Sequence, residues 1–313
     1  MRVIITALLI MLATGVNAMT EADFYVSPKG NDGWSGTLAQ PNEMKTDGPF
    51  ASIQKAQQAV RKLKSPGTVL IRKGTYQITE PLVFTPEDSG DTYAAYPSEK
   101  PLISGGKRIT GWAKNGELWT ANLPTDWYFR DLYVNGQRRS RPRLPKEGFF
   151  HIESEIAPDV KNAFHYAEGD IKPWQNMDDV ELIAFNAWDE LRFHIAKLDP
   201  ETRIVTFTGS NNWPWGAWGQ SSKRYYVENV REALDAPGEW YLDRKTGVLS
   251  YLPMPGEDMK KAEIIAPVLN ELLTVRGDAG KPVERLTLKG LSFRYAGWEL
   301  PKESYISIQA AVK

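Results

Sequence analysis

Residues Phe129 to Leu144 read FRDLYVNGQRRSRPRL. Asn135-Gly136 stands between two runs of alternating character, the strongest short-range signal for a two-residue β-hairpin. The stretch also marks a change of pattern. Downstream, LRFHIAKLDPETRIVTFTG (191–209) places Leu191, Phe193 and Ile195 on one strand face ahead of an Asp-Pro-Glu-Thr turn. EWYLDRKTGVLSYLP (239–253) repeats the arrangement, with Trp240 and Leu242 facing one way and Gly247 closing the turn. Three hairpins, each with one apolar face, predict an antiparallel β-sandwich or barrel module.

Upstream the strand-like runs are shorter. FYVSPKGNDGWSGTLAQP (24–41) gives a short strand and a Gly/Asn/Asp/Ser loop, and PFASIQKAQQAVRKLKSPG (49–67) gives one amphipathic helix. Phe50, Ile53, Ala56, Val60 and Leu63 share a face of that helix, and Pro66-Gly67 stops it. TVLI, PLVF, TYAAY and PLISGG then follow from Thr68, Pro81, Thr92 and Pro101, with turn signals at Lys73-Gly74 and Ser89-Gly90. Runs of this length and spacing suit either a sandwich or a solenoid of strands. They return beyond Pro255 as AEIIAP, LLTVRG, RLTLKG and LSFRYAG, so the hairpin segment reads as inserted into one interrupted domain. The expected divisions are 1–18, 19–126, 127–261 and 262–313.

The first of these, MRVIITALLIMLATGVNA, has Arg2, an apolar stretch from Val3 to Ala13 and small residues at Val16 and Ala18. It predicts a secretory signal cleaved before Met19, too short to span a bilayer. There is no cysteine, which excludes disulfides and thiolate chemistry. With 38 basic and 39 acidic residues the net charge is −1, so no global field gathers nucleic acid or an anionic membrane. The expected place is the periplasm or the bacterial exterior, free of the membrane after cleavage.

Several segments together resemble a known family. FYVSPKGNDGWSGT, GPFASIQKAQQAV, GTVLIRKGTYQI, PLISGGKRITGW, LYVNGQRRSRPRLP, RYYVENVREALDAPGEWYLDRKTGVLSYLP and LTLKGLSFRYAGW are similar to the secreted bacterial right-handed parallel β-helix enzymes of the pectate-lyase-like superfamily. They are most similar to glycoside hydrolase family 141, whose members include α-L-fucosidases and xylanases. The resemblance runs from Phe24 to the last residue and is most specific over 224–253. It implies an all-β, right-handed parallel β-helix closed by the helix near residue 50, with an inserted β-module and catalytic carboxylates on later coils. Those coils are expected to follow Lys313, because LTLKGLSFRYAGWELPKESYISIQAAVK (286–313) ends as though approaching another coil. Leu288, Leu291, Phe293, Ile306 and Ile308 are then expected to leave an open strand edge prone to aggregation.

Glycoside hydrolysis needs two carboxyl groups about 5–10 Å apart, one protonated and one ionised. Asp189, Glu190, Glu228 and Asp235 have the densest aromatic surroundings, yet no motif selects a pair, and no catalytic residue is assigned. The binding candidates are Trp215, Trp218, Arg141 and Trp298. NNWPWGAWGQ (211–220) offers flat indole faces for sugar rings, with Trp213 expected to be structural. Arg139, Arg141 and Arg143 alternate along one strand, so their guanidiniums either meet acidic sugars or pair with acids of a neighbouring strand. Asn31 and Asp32 carry oxygens of the kind Ca²⁺ takes, but hydrogen bonding within their loop is the expected role. His151, His165 and His194 have no metal-ligand spacing, and no phosphate-binding or dinucleotide motif occurs, so no cofactor is expected.

The leading functional expectation is the N-terminal part of a secreted glycoside hydrolase acting on complex, plant-type polysaccharide. A polysaccharide lyase using Ca²⁺ and a basic residue, and a non-catalytic carbohydrate-binding solenoid, are the alternatives.

Overall fold

The computed structural model describes residues 22–306. The expected signal segment and Ile308 lie outside them. The chain divides into two compact units, the first comprising 1–76, 82–103 and 273–293, the second 77–81, 104–272 and 294–313.

In the first unit, Phe24–Val26, Thr68–Ile71, Thr92–Ala95 and Thr287–Lys289 form a four-stranded parallel sheet in that order. Leu82–Phe84 pairs in parallel with Leu273–Val275. The α-helix runs Ile53–Val60, with Ile53, Ala56 and Val60 buried. It is shorter than the apolar pattern because Phe50 is held extended beside Val26. Asp32 sets the boundary: its Oδ1 accepts from the Ala51 and Ser52 amides (2.8 and 2.9 Å) and its Oδ2 from Ser52 Oγ (2.7 Å). Ser52 Oγ in turn accepts from Lys55 N as the N-cap. The Asn31 Oδ1 accepts from the Gly33 amide. Among the described residues no group of carboxylate or histidine side chains is arranged to hold a metal ion.

These sheets correct the expected fold. The parallel strands are only three or four residues long, and their sheets are small and do not build a right-handed β-helix. The larger part of the chain is antiparallel. Short apolar runs about ten residues apart fit both a sandwich and a solenoid, so they could not overrule the β-helix that the resemblance implied. At the C-terminal side, Leu288 and Phe293 are each 37% exposed, whereas Ile306 packs against the core of the second unit.

The second unit contains a closed six-stranded antiparallel barrel. Its strands follow the order Arg224–Glu228, Phe150–Glu155, Ala163–Tyr166, Ile204–Phe207, Glu190–Asp199 and Glu181–Phe185, and the last returns to pair with the first. Closure removes the free edges that an open sheet would leave. Alternation then sorts the side chains: Leu182, Ala184, Leu191, Phe193, Val205, Tyr225 and Val227 are fully buried inside. Their neighbours Glu181, Arg192, Tyr226 and Glu228 stand on the opposite face.

Two further sheets complete this unit. One joins Ala113–Asn115, Leu118–Asn122, Val248–Tyr251 and Trp240–Asp243; the other joins Gly106–Arg108, Ile264–Pro267, Leu132–Val134 and Gln137–Arg139. Leu132–Val134 and Gln137–Arg139 form the hairpin read from Asn135-Gly136, both of whose turn residues have positive φ (52° and 76°) as a type I′ turn requires. Trp240, Leu132, Val134, Tyr251 and Ile264 fill a second core between these sheets. No described helix is long and apolar enough to cross a membrane.

Candidate functional site

On the outer wall of the barrel, strands Glu181–Phe185 and Arg224–Glu228 run antiparallel with Glu181 opposite Glu228. Directly opposed residues project to the same side, so the two carboxylates emerge together. Arg143 lies across from Glu228 on its other flank, in the short strand Arg143–Leu144. Arg192 and Tyr226 flank Ile183 two residues along. Over this wall the second unit encloses a cleft of about 570 Å³, lined by six arginines, Asp131, Glu228, Tyr226 and Trp298 among others.

Its floor is a buried ionic cluster. Glu181 is 1% exposed and accepts two parallel hydrogen bonds from Arg141 (2.8 and 2.9 Å) and two from Arg130, one of them at 3.0 Å. Glu228 is gripped by Arg141, by Arg192 at 3.3 Å and by Arg130 at 3.7 Å. The Arg130 guanidinium lies 4.6 Å from the Trp298 ring centroid, a cation–π contact. The backbone of Tyr305 bonds Arg192 in both directions (2.8 and 2.9 Å), which ties the segment carrying Trp298 to the barrel.

Burial pushes the Glu181 carboxyl up, but Arg141 and Arg130 outweigh it and hold the group down at about 2, against 4.5 for an ordinary glutamate. Burial likewise opposes the charge on Arg141, and Glu228 and Glu181 restore it, leaving its pKa well above the ordinary value. Burial, aided by Glu228, pushes the Tyr226 hydroxyl up to about 12. The sign for stability follows. A carboxyl whose folded pKa is depressed contributes stability that is full above the unfolded pKa and is lost as pH falls through the folded one. Stability is therefore expected to fall between about pH 5 and pH 2, by an amount on the order of 3 kcal/mol from Glu181. Urea unfolding followed across that range checks it.

The binding candidates are dispersed. Arg141 and Trp298 line the cleft. Trp215 is only 4% exposed, with its ring against Phe164 (5.1 Å), Phe193 (5.9 Å) and Phe207 (6.0 Å), so it serves the barrel core instead of a sugar. Trp213, expected to be structural, is 50% exposed, as is Trp188. Trp218 lies 5.2 Å from each of them, forming an aromatic patch away from the lining of the cleft.

The arginine row divides between its two readings. Arg139 bonds Glu257 and the Tyr251 hydroxyl, and Arg141 bonds Glu181 and Glu228, but all three arginines line the cleft. Of the acids singled out in the sequence, Glu228 is in the cleft, Glu190 pairs with Arg192 at 2.5 Å, Asp235 pairs with Lys146 at 2.7 Å and Asp189 is buried. Arg130, Arg192, Glu181 and Tyr226 were not distinguished by the sequence pattern. A signal for Glu181 existed, since a glutamate opening the apolar run ELIAF must be paired if that strand is buried.

Comparison with known proteins gives two similarities. Residues 116–254 match the GH141 insertion domain. That segment supplies the barrel, both floor carboxylates and all six cleft arginines. A solved structure described as a glycoside hydrolase matches 88% of this chain with a TM-score of 0.71 at 24% identity. The match takes in 51% of that chain, so the present chain spans about half the length of its structural relative. A structure of XylC with xylose matches 87% of this chain and 35% of its own at 15% identity, with a TM-score of 0.39, too low to support an argument. No curated protein matches the sequence. The first match concerns residues 116–254, and the second shows that the fold is shared.

Proposed function

We propose that this chain is part of an exported glycoside hydrolase acting on complex polysaccharide. Its second unit holds saccharide in the arginine-lined cleft, and the bond-breaking carboxyl pair lies in the portion of a glycoside hydrolase that this chain does not span. The observation that carries the reading is the match of the cleft-bearing segment to the GH141 insertion domain. The chemistry of the floor is consistent with binding rather than cleavage. Hydrolysis needs one carboxyl poised to give a proton and another free to reach the anomeric carbon or a water. Glu181 is shut away from solvent and held ionised by two guanidiniums, while Glu228 is enclosed by three. Guanidinium forks beside aromatic faces are well suited to fixing a hydroxylated ring, and the cleft volume falls within the roughly 300–1,000 Å³ common for ligand pockets.

The test is to incubate the 313-residue chain with a panel of plant polysaccharides. Binding by affinity electrophoresis without release of reducing ends, and without unsaturated products absorbing in the near ultraviolet, is the expected result. Turnover at rates typical of an enzyme would place the catalytic groups inside this chain. Export is supported by Arg2, the following apolar run and the small residues Val16 and Ala18. A mature N-terminus at Met19, read from periplasmic or culture-fluid protein, is expected; retention of residues 1–18 there would contradict it.

A further inference from the structure

The cleft carries one more guanidinium than its carboxylates neutralise. Arg138 pairs with Asp131 at 2.5 Å, Arg139 with Glu257 and Arg192 with Glu190, while Arg130 and Arg141 share Glu181 and Glu228. Arg143 is different: among the described residues it has no carboxylate partner. Its Nε donates to the Pro145 carbonyl (3.0 Å) and one Nη to the Gly148 carbonyl (2.6 Å), and its guanidinium lies 4.0 Å from the Tyr226 ring centroid. Those contacts fix the plane of the fork and use two of its five N–H donors. Donors of the other Nη have no partner among the described residues, and the side chain is only half-buried. A rigidly held, uncompensated cation in a cleft is an anion site in which little ordering remains to be done on binding.

We infer that Arg143 docks the carboxylate of a uronate residue, whose sugar ring occupies the cleft that Tyr226 and Trp298 also line. This rests on the reading that the cleft holds saccharide and names the class of sugar. The planar carboxylate fits because the neighbouring fork already takes one. Arg141 meets Glu181 through two parallel bonds of 2.8 and 2.9 Å, a geometry that a guanidinium and a carboxylate share. Neutral hydroxyls would satisfy the N–H groups but leave the charge of Arg143 uncompensated beside the Arg141 and Arg192 that line the same cleft.

Calorimetric titration of the full chain with a galacturonate oligosaccharide, its methyl ester and a sulfated neutral oligosaccharide tests the assignment. The acid is expected to bind about tenfold more tightly than the ester. Arg143→Gln should abolish that preference, bringing the affinity for the acid down to that for the ester. In the native chain, added salt should weaken the acid and not the ester, a readout independent of any variant. Equal binding of acid and ester overturns the uronate assignment while leaving saccharide binding standing. A preference for the sulfated sugar, or one that survives Arg143→Gln, also overturns it. Binding of none of the three refutes this inference and the saccharide reading together.

Discussion

Glu181→Gln is expected to lower stability by about 3–5 kcal/mol, the usual cost of breaking a buried ion pair from one side. The variant preserves the shape of the side chain, so the loss isolates its charge. Arg130 and Arg141, with side chains 7% and 5% exposed, would then share Glu228 as their remaining carboxylate while staying out of water. Two guanidiniums around one carboxylate leave a net positive charge buried, and an uncompensated charge out of water is costly. Guanidinium-chloride unfolding with tyrosine and tryptophan fluorescence measures the change. The acid limb of the stability profile supplies an independent check: with Gln at 181, the expected fall between about pH 5 and pH 2 should flatten. A variant as stable as the parent would mean that the floor cluster does not hold the cleft in shape.

Phe193→Ala should cost about the same, roughly 3–5 kcal/mol, by a different route. Phe193 is fully buried at the centre of the barrel, stacked on Phe207 at 4.6 Å and 27° and edge-on to Trp215 at 5.9 Å. Removing its ring loses apolar burial and leaves a cavity that a closed barrel cannot easily collapse to fill, since each strand is fixed on both sides. Hydrogen exchange is the informative measurement. Amides of Glu181–Phe185 and Ile204–Phe207 should lose protection, because both strands pair with the one that carries Phe193. Binding in the cleft should weaken only as far as the barrel unfolds, since Phe193 faces inward and Arg192, its neighbour, faces the cleft.

Glu181 and Phe193 differ in how far the sequence announced them. Period-two alternation placed Leu191 and Phe193 on one face, and the Asn135-Gly136 turn placed a hairpin, because both signals are local and backbone geometry enforces them. Strand partnership is not local. The closure of the barrel depends on Arg224–Glu228 meeting Glu181–Phe185, some forty residues apart, and nothing in either segment names the other. The parallel β-helix was implied by the family resemblance, and the short apolar runs could not overrule it, since they state that strands exist and not which neighbour each one takes. The cleft was half legible. Alternation put Arg139, Arg141 and Arg143 on one face, but their differing fates turned on Glu181, Glu228 and Glu257 arriving from distant strands and loops. Trp213 and Trp215 take each other's expected settings because the Gly and Pro around them removed the periodicity that separates an inward ring from an outward one.

The most direct test combines binding and chemistry in one sample. The 313-residue chain is titrated with a mixed plant oligosaccharide fraction, heat is followed by calorimetry, and the recovered solution is assayed for new reducing ends. Saturable heat with no new reducing ends is the expected result. Rapid release of reducing ends, or no heat from any fraction, would contradict a cleft that binds sugar without cleaving it.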